Sequence, residues 1–422
     1  MNICVQGLWH LGTVTAACLA SAGHHVVGLD FDSETVKRLN GGIPPIFEPG
    51  LEALVQKGLS DGKLSFTTDI RAAVNGIDLL WVAYDTPVND EDQADVPFVL
   101  DRIKMTLPHL RGHPLVLISS QLPAGSTRSL ETAEASFAYS PENLRLGKAI
   151  AAFTQPDRVI VGIRNERDRT LLEELFGAFT NRIEFMSVES AEMTKHALNA
   201  FLATSVSFIN EIAALCEQVG ADAKEVERGL KSEARIGPKA YLSPGGPFAG
   251  GTLARDIAFL TDIGQAKGVP TDLLAGVRTS NNKHRQWARR KLQAVVGDLK
   301  GKTLAVWGLT YKPGTDTLRR SSSIELCEWL YESGARIHAH NPAIKMLTPA
   351  LAERIRLFET PLAALNDAVA LVVATECPEF LNIDGGDVAK TMGSATVIDA
   401  NRFLAKELES QAGIRYFTVG KS

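Results

Sequence analysis

Between Asn2 and Leu29 the sequence contains no Asp, Glu, Lys or Arg. So long an uncharged stretch could mark a signal peptide or a membrane span. No positive segment precedes it, however, and Gly7, His10, Gly12, Gly23, His24 and His25 interrupt it. It reads instead as strand, turn, helix and strand inside a soluble domain, with no membrane partner expected. Cysteine is scarce. Cys4, Cys18, Cys216, Cys327 and Cys377 form no CxxC pair and no Cys/His spacing of a metal site. No metal is therefore expected, and the odd count fits reduced thiols in the cytoplasm. There is no basic block of the kind that tracks a phosphate backbone, and the net charge is -5, so nucleic acid is not an expected partner. Nor does any low-complexity tract or internal period of solenoid length occur.

What is present points to a large folded chain. Its 422 residues suit two or three domains, and 45% hydrophobic against 22% charged residues supports an extensive core. Short apolar runs at Ile3–Val5, His25–Leu29, Leu79–Ala83, Leu115–Ser119 and Val159–Val161 alternate with helical segments, as in a parallel sheet covered on both faces. From about Ser187 the pattern turns helical. Ala191 to Val219 has no Pro or Gly and repeats apolar residues at helical spacing, and more helix is expected over Ile257–Lys267 and Leu273–Val296. Strands return at Thr303–Trp307, Arg336–Ala339, Ala370–Ala374 and Thr396–Ile398. The expected division is 1–185, 186–290 and 291–422.

Gly7-Leu8-Trp9-His10-Leu11-Gly12 follows the first strand and opens a helix, and Asp30 ends the next strand eighteen residues beyond Gly12. This is the context of a dinucleotide-binding turn. Gly7 permits the tight turn, Gly12 permits close packing, and free N–H groups at the helix start can hold a pyrophosphate. A carboxylate at Asp30 can accept from ribose hydroxyls and would repel a 2′-phosphate, which favours NAD over NADP. Trp9 takes the place of the middle glycine. A nucleotide-free turn of the same shape is the competing reading, against which the Asp30 spacing weighs.

Several segments in order resemble the UDP-glucose/GDP-mannose dehydrogenase family over nearly the whole chain. They are Asp30-Phe31-Asp32 through Leu39-Asn40-Gly41-Gly42 to Glu48-Pro49-Gly50-Leu51, Thr86-Pro87, Ser140-Pro141-Glu142, and Lys195-His196-Ala197-Leu198-Asn199. Arg235-Ile236-Gly237, Gly250-Gly251-Thr252-Leu253-Ala254-Arg255-Asp256, and Gly308 to Pro313 with Thr315-Asp316 and Arg319 complete the series. The resemblance implies an α/β chain with two Rossmann-like doubly wound domains joined by a helical central region containing a long helix. It implies an NAD-dependent nucleotide-sugar dehydrogenase acting on a UDP- or GDP-linked sugar, built as a homodimer or higher homo-oligomer through the long helix. Cofactor contacts would come from Gly7, Trp9, His10, Leu11, Gly12, Asp30, Thr86 and Arg319. Arg235, Tyr241, Gly250, Tyr311 and Lys312 would contact substrate, Arg235 reaching into the neighbouring subunit. Lys195, Asn199, Asp256, Glu142 and Thr252 would form the catalytic set.

The chain departs from the family where chemistry is most demanding. The family captures an aldehyde on a cysteine thiolate and hydrolyses the thioester. The matching residue here is Thr252, whose hydroxyl needs a strong adjacent base to act at all. Gln121 stands where a threonine is usual, and Leu146 where a second glutamate is usual. The losses fall on capture and hydrolysis. Lys195 and Asn199, four apart on one helix, remain to take the alcohol proton and hold a water with Asp256. Plainer readings exist: Lys195 as a solvated charge, Asp256 as a helix-start charge, Glu142 as a turn cap, His196 and His284 as packing residues. The expected function is a single two-electron oxidation to a ketone or aldehyde. The alternatives are four-electron oxidation without cysteine, an NAD-retaining epimerase, and a non-catalytic nucleotide-sugar-binding protein.

Overall fold

The structure is a computed structural model that describes residues 1–89, 94–142, 144–248, 251–318, 321–392 and 395–421. The chain packs as two compact units, Met1–Leu198 and Asn199–Ser422.

The first unit is built on eight strands: β1 (Asn2–Gln6), β2 (His25–Leu29), β3 (Leu64–Thr67), β4 (Leu79–Val82), β5 (Leu115–Ile118), β6 (Ser136–Tyr139), β7 (Val159–Ile163) and β8 (Ile183–Ser187). Their order is β3-β2-β1-β4-β5-β6-β7-β8. All neighbours run parallel except β6 and β7. The run β3-β2-β1-β4-β5-β6 is the order of a doubly wound dinucleotide-binding sheet. β4 (Leu-Leu-Trp-Val) and β5 (Leu-Val-Leu-Ile) are buried at every position, because helices cover both faces. One apolar cluster lies under helix α1 (His10–Ser21) with Val5, Val14, Trp81 and Leu117. The other, with Cys4, Leu80, Val116 and Phe137, fills the opposite face.

The second unit repeats the plan with six strands: β9 (Thr303–Trp307), β10 (Arg336–His340), β11 (Ile355–Leu357), β12 (Ala368–Val373), β13 (Ala395–Asp399) and β14 (Ile414–Phe417). Their order is β11-β10-β9-β12-β13-β14, parallel throughout. Helices precede this sheet in sequence. The long helix begins earlier than its periodicity suggested, running Val188–Val219. By length and composition alone it could cross a membrane. Its buried polar residues nevertheless take protein partners. Glu192 accepts from the Thr127 amide at 3.0 Å, and Ser207 donates to the Val277 carbonyl at 3.3 Å.

Two other expectations change. The helix expected from Ile257 begins at Thr252, with Gly251 at φ 89° leading into it. The stretch Leu273–Val296 is two helices, Asp272–His284 and Trp287–Val296. The break between them lets Trp287 bury its ring while its indole N–H donates to Glu217 at 2.8 Å.

Candidate active site

The dinucleotide turn sits where β1 hands over to α1. Gly7 has φ 94°, and a side chain there would drive into the Tyr84 ring at 2.6 Å; a Cβ on Gly12 would meet the Gly7 carbonyl oxygen at 1.6 Å. Both glycines are therefore demanded by the backbone. The Thr13 hydroxyl donates to the Leu8 carbonyl at 3.0 Å and closes the turn. Trp9 supplies no capping oxygen, no acidic residue lies in the first turn of α1, and the Trp9 side chain is 52% exposed at the mouth. The helix start thus keeps the character of an anion site. Asp30 lies beside it. Its carboxylate accepts from Leu8 N–H at 2.7 Å and Asp32 N–H at 3.0 Å. Since a carboxylate offers about four acceptor positions, ribose hydroxyls could still be held there.

One neighbour escaped the sequence reading. Asp85, three residues past β4, accepts the Leu11 N–H at 3.1 Å, placing a carboxylate on the helix start that would receive the pyrophosphate. A second is Glu48, which is buried and accepts from His10 Nε2 at 3.1 Å. Both residues were visible in quoted or adjoining motifs, but nothing in their spacing announced these contacts.

At the carboxyl end of the same sheet, the Thr86 hydroxyl donates to the Gln121 carbonyl at 2.7 Å, fixing β4 to β5 beyond their last pair. Lys195 is only 6% exposed, so it is no solvated helix charge. Its ammonium donates to the Glu142 carbonyl oxygen at 2.7 Å. The Glu142 carboxylate accepts from the Leu144 N–H at 2.7 Å, so the turn-cap reading of Glu142 holds alongside any role toward substrate. His196 is buried and its ring bonds the Leu122 carbonyl at 3.0 Å; His284 likewise meets the Gly245 carbonyl at 2.7 Å. Both pack, and burial lowers the pKa of His284. Among the described residues, no group of three or more His, Cys, Asp or Glu gathers as a metal site.

In the second unit Asn199 donates its amide to the Asp256 carboxylate. Asp256 is fully buried, which replaces the helix-start reading with an internal polar pair. Thr252, on the same helix, is its exposed first residue. Among the described residues no partner hydrogen-bonds its hydroxyl.

Two clefts of the second unit hold the aromatic candidates. Tyr241 lines one of about 570 Å³ together with Lys224, Lys231, Lys239 and Asn401. Tyr311 lines one of about 250 Å³ at the carboxyl ends of β12 and β13, the side of the sheet on which doubly wound folds bind ligands. Lys312 is half-buried but borders neither cleft; its carbonyl accepts from the Thr310 hydroxyl at 3.1 Å and the Thr315 hydroxyl at 3.0 Å. Arg235 is exposed, and among the described residues it pairs with Glu233 at 3.1 Å. Gly250 and Arg319 lie outside the described residues.

A doubly wound sheet with a glycine turn and an acidic residue just past β2, followed by a second such sheet bearing a cleft, is the architecture of a nucleotide-binding protein. Comparison with known proteins narrows that class. Residues 1–180 match the NAD binding domain of the UDP-glucose/GDP-mannose dehydrogenase family, 189–283 its central domain and 305–406 its UDP binding domain. The chain belongs to this family, and is an NAD-dependent nucleotide-sugar dehydrogenase. It is similar to the UDP-glucose 6-dehydrogenase TuaD of Bacillus subtilis (strain 168), at 33% identity over 430 residues, covering 100% of this chain and 93% of the relative. It is equally similar to a UDP-glucose 6-dehydrogenase of Rhizobium meliloti (strain 1021), 33% identical over 436 residues and covering 100% of each chain. Among solved structures, a UDP-glucose dehydrogenase from the hyperthermophilic archaeon Pyrobaculum islandicum superposes with a TM-score of 0.87 at 29% identity, covering 100% of this chain and 98% of that one.

Proposed function

We propose that this chain oxidises a UDP-linked sugar alcohol with NAD in one hydride transfer and releases the carbonyl product. The observation that carries this reading is Thr252: an exposed hydroxyl at a helix start, with no hydrogen-bonded base among the described residues. A hydroxyl in that setting does not form the covalent adduct that a thiolate would. Gly7, Gly12 and the start of α1, where Trp9 supplies no cap and the Asp85 carboxylate on the Leu11 N–H would give way, suit the cofactor's pyrophosphate, and Asp30 its adenosine ribose. Bound there, NAD would supply the hydride acceptor. Lys195, buried and fixed by the Glu142 carbonyl, would take the hydroxyl proton as the free amine, or as the ammonium offset charge on the developing alkoxide. The Asn199–Asp256 pair would hold a water or a sugar hydroxyl. Arg235, Tyr241, Tyr311 and Lys312 remain the proposed contacts to the nucleotide.

The wider arrangement is proposed with the same reading: a cofactor domain over 1–185, a central region over 186–290 and a nucleotide-sugar domain over 291–422, working in the cytoplasm. The long helix leaves Phe201, Phe208 and Leu215 exposed at intervals of seven. Such a seam suits the same helix of a second copy, so the chain would be a homodimer.

A second reading is four-electron oxidation to an acid. The naming of both curated relatives as UDP-glucose 6-dehydrogenases favours it. Incubation with NAD and a panel of nucleotide sugars separates the two. The proposal expects one NADH per sugar and a product lighter by two hydrogens. Two NADH per sugar, with net gain of an oxygen and loss of two hydrogens, would establish the acid-forming reaction instead. Sugar conversion without NADH would mark an epimerase.

A further inference from the structure

Glu48 lies in the segment Glu48-Pro49-Gly50-Leu51, just before the helix Leu51–Ser60, and belongs to no step described above. Its side chain is 1% exposed. Burying a carboxylate is costly unless its oxygens are met by donors. Here three donors converge. Oε1 accepts from the Ala149 N–H at 2.9 Å. Oε2 accepts from the Gly147 N–H at 2.7 Å and lies 3.1 Å from His10 Nε2. His10 is the first residue of α1, directly after the exposed Trp9. Gly147 ends the loop that begins after β6 with Ser140, Pro141 and Glu142, and Ala149 opens the helix Ala149–Thr154 that follows it.

That loop is therefore pinned at two points. At its beginning, the Lys195 ammonium grips the Glu142 carbonyl at 2.7 Å. At its end, Glu48 holds the Gly147 and Ala149 amides. The packing supports the second pin: Leu51 is fully buried in the same apolar cluster as Ala149, and Leu144 and Ile150 pack against it. We propose that Glu48 is a positioning residue, a strut that ties the dinucleotide turn, through His10, to the loop carrying Glu142. Cofactor at the turn and the loop that meets the sugar are then set as one piece. Glu48 touches neither ligand in this scheme. It acts through His10 on one side and through Gly147 on the other, and so fixes where Glu142 presents its carbonyl to Lys195.

This inference rests on the reading that the turn holds NAD and the Glu142 loop faces the sugar. The test separates the two. In wild-type enzyme, NAD binding is measured by calorimetry and amide exchange over 144–149 is followed with and without NAD. NAD should bind, and should slow exchange in that loop; absence of NAD binding would overturn the functional reading itself. Glu48→Gln turns an amide N–H₂ toward donors and frees part of the loop. At saturating NAD it should raise the sugar KM on the order of tenfold, the scale of losing a hydrogen bond to a charged group. The NAD-dependent slowing of exchange should vanish. His10→Ala removes only the outer arm and leaves the carboxylate its two amide donors, so it decides the matter if the Glu48 variant does not fold. It too should raise the sugar KM at saturating NAD and abolish the slowing. An unchanged sugar KM with exchange still slowed by NAD, accompanied only by a lower melting temperature, would reduce Glu48 to a structural cap and overturn the proposal.

Discussion

Removing Asp85 should tighten NAD binding. The Asp85 carboxylate takes the Leu11 N–H at 3.1 Å, one of the amides at the start of α1 that an incoming pyrophosphate needs. Binding NAD there must displace a negative group from the positive end of the helix, and then place two more negative charges near it. A charge at a helix start is worth about 0.3–1 kcal/mol when exposed, and Asp85 is exposed. Asp85→Ala should accordingly lower the NAD Kd about two- to fivefold. Asp85→Asn keeps an acceptor oxygen but loses the charge, and should give part of the gain. Calorimetric titration in low-salt buffer reads the change directly. At about 1 M salt, where the screening length falls to roughly 3 Å, wild type and variant should converge. The nicotinamide half need not be present, since ADP-ribose carries the same pyrophosphate and should show the same ratio. Weaker NAD binding by Asp85→Ala, insensitive to salt, would refute the reasoning and make Asp85 a direct cofactor contact.

Four further outcomes are expected. Lys195→Ala should reduce kcat on the order of 10²-fold or more, the scale for a general acid–base group, with melting temperature as the check on folding. Thr252→Ala should keep most of the activity in a steady-state NADH assay, and Thr252→Cys should not yield an acid product, since Gln121 and Leu146 are unchanged. Glu189 has its pKa pulled down to about 2, first by the Arg164 hydrogen bond and then by its coulombic neighbours Arg164 and Arg128. A depressed carboxylate contributes stability above its unfolded pKa and loses it as pH falls toward the folded value, so thermal stability should decline between the ordinary glutamate range and about pH 2. Arg164→Gln should flatten that decline in melting curves. Finally, Phe208→Asp on the exposed seam should shift light scattering from a dimer toward the 45.5 kDa chain.

Much of the fold was open to inspection in the sequence because parallel strands buried on both faces read as unbroken apolar runs. β4, β5 and β9 needed nothing more. Gly7 and Gly12 were equally readable, since their spacing encodes a backbone demand that the Tyr84 ring and the Gly7 carbonyl confirm. Lys195 and Asp256 were singled out by resemblance, but their burial was not readable, because helix periodicity does not reveal what packs against a polar face. The break before Trp287 lacked any Gly or Pro and depended on a partner seventy residues away, Glu217. Asp85 and Glu48 were missed for a related reason. Their roles come from backbone amides of distant segments, Leu11 for one and Gly147 for the other, and amides leave no mark in a sequence.

The strand order has a consequence for how the chain is made. In both sheets the first strand to leave the ribosome, β1 or β9, ends up in the interior of its sheet, flanked by the second and fourth strands of that set. β1 gains β2 soon, but its other edge stays bare until Leu79–Val82 arrives, and β9 waits likewise for Ala368–Val373. During synthesis each unit therefore carries an open, apolar strand edge for tens of residues, the state most exposed to wrong pairing. Such long-range parallel pairing is also slow to form. Because the plan is used twice, the nascent chain passes through this vulnerable interval twice, and the second passage comes when the first sheet is already complete beside it in sequence.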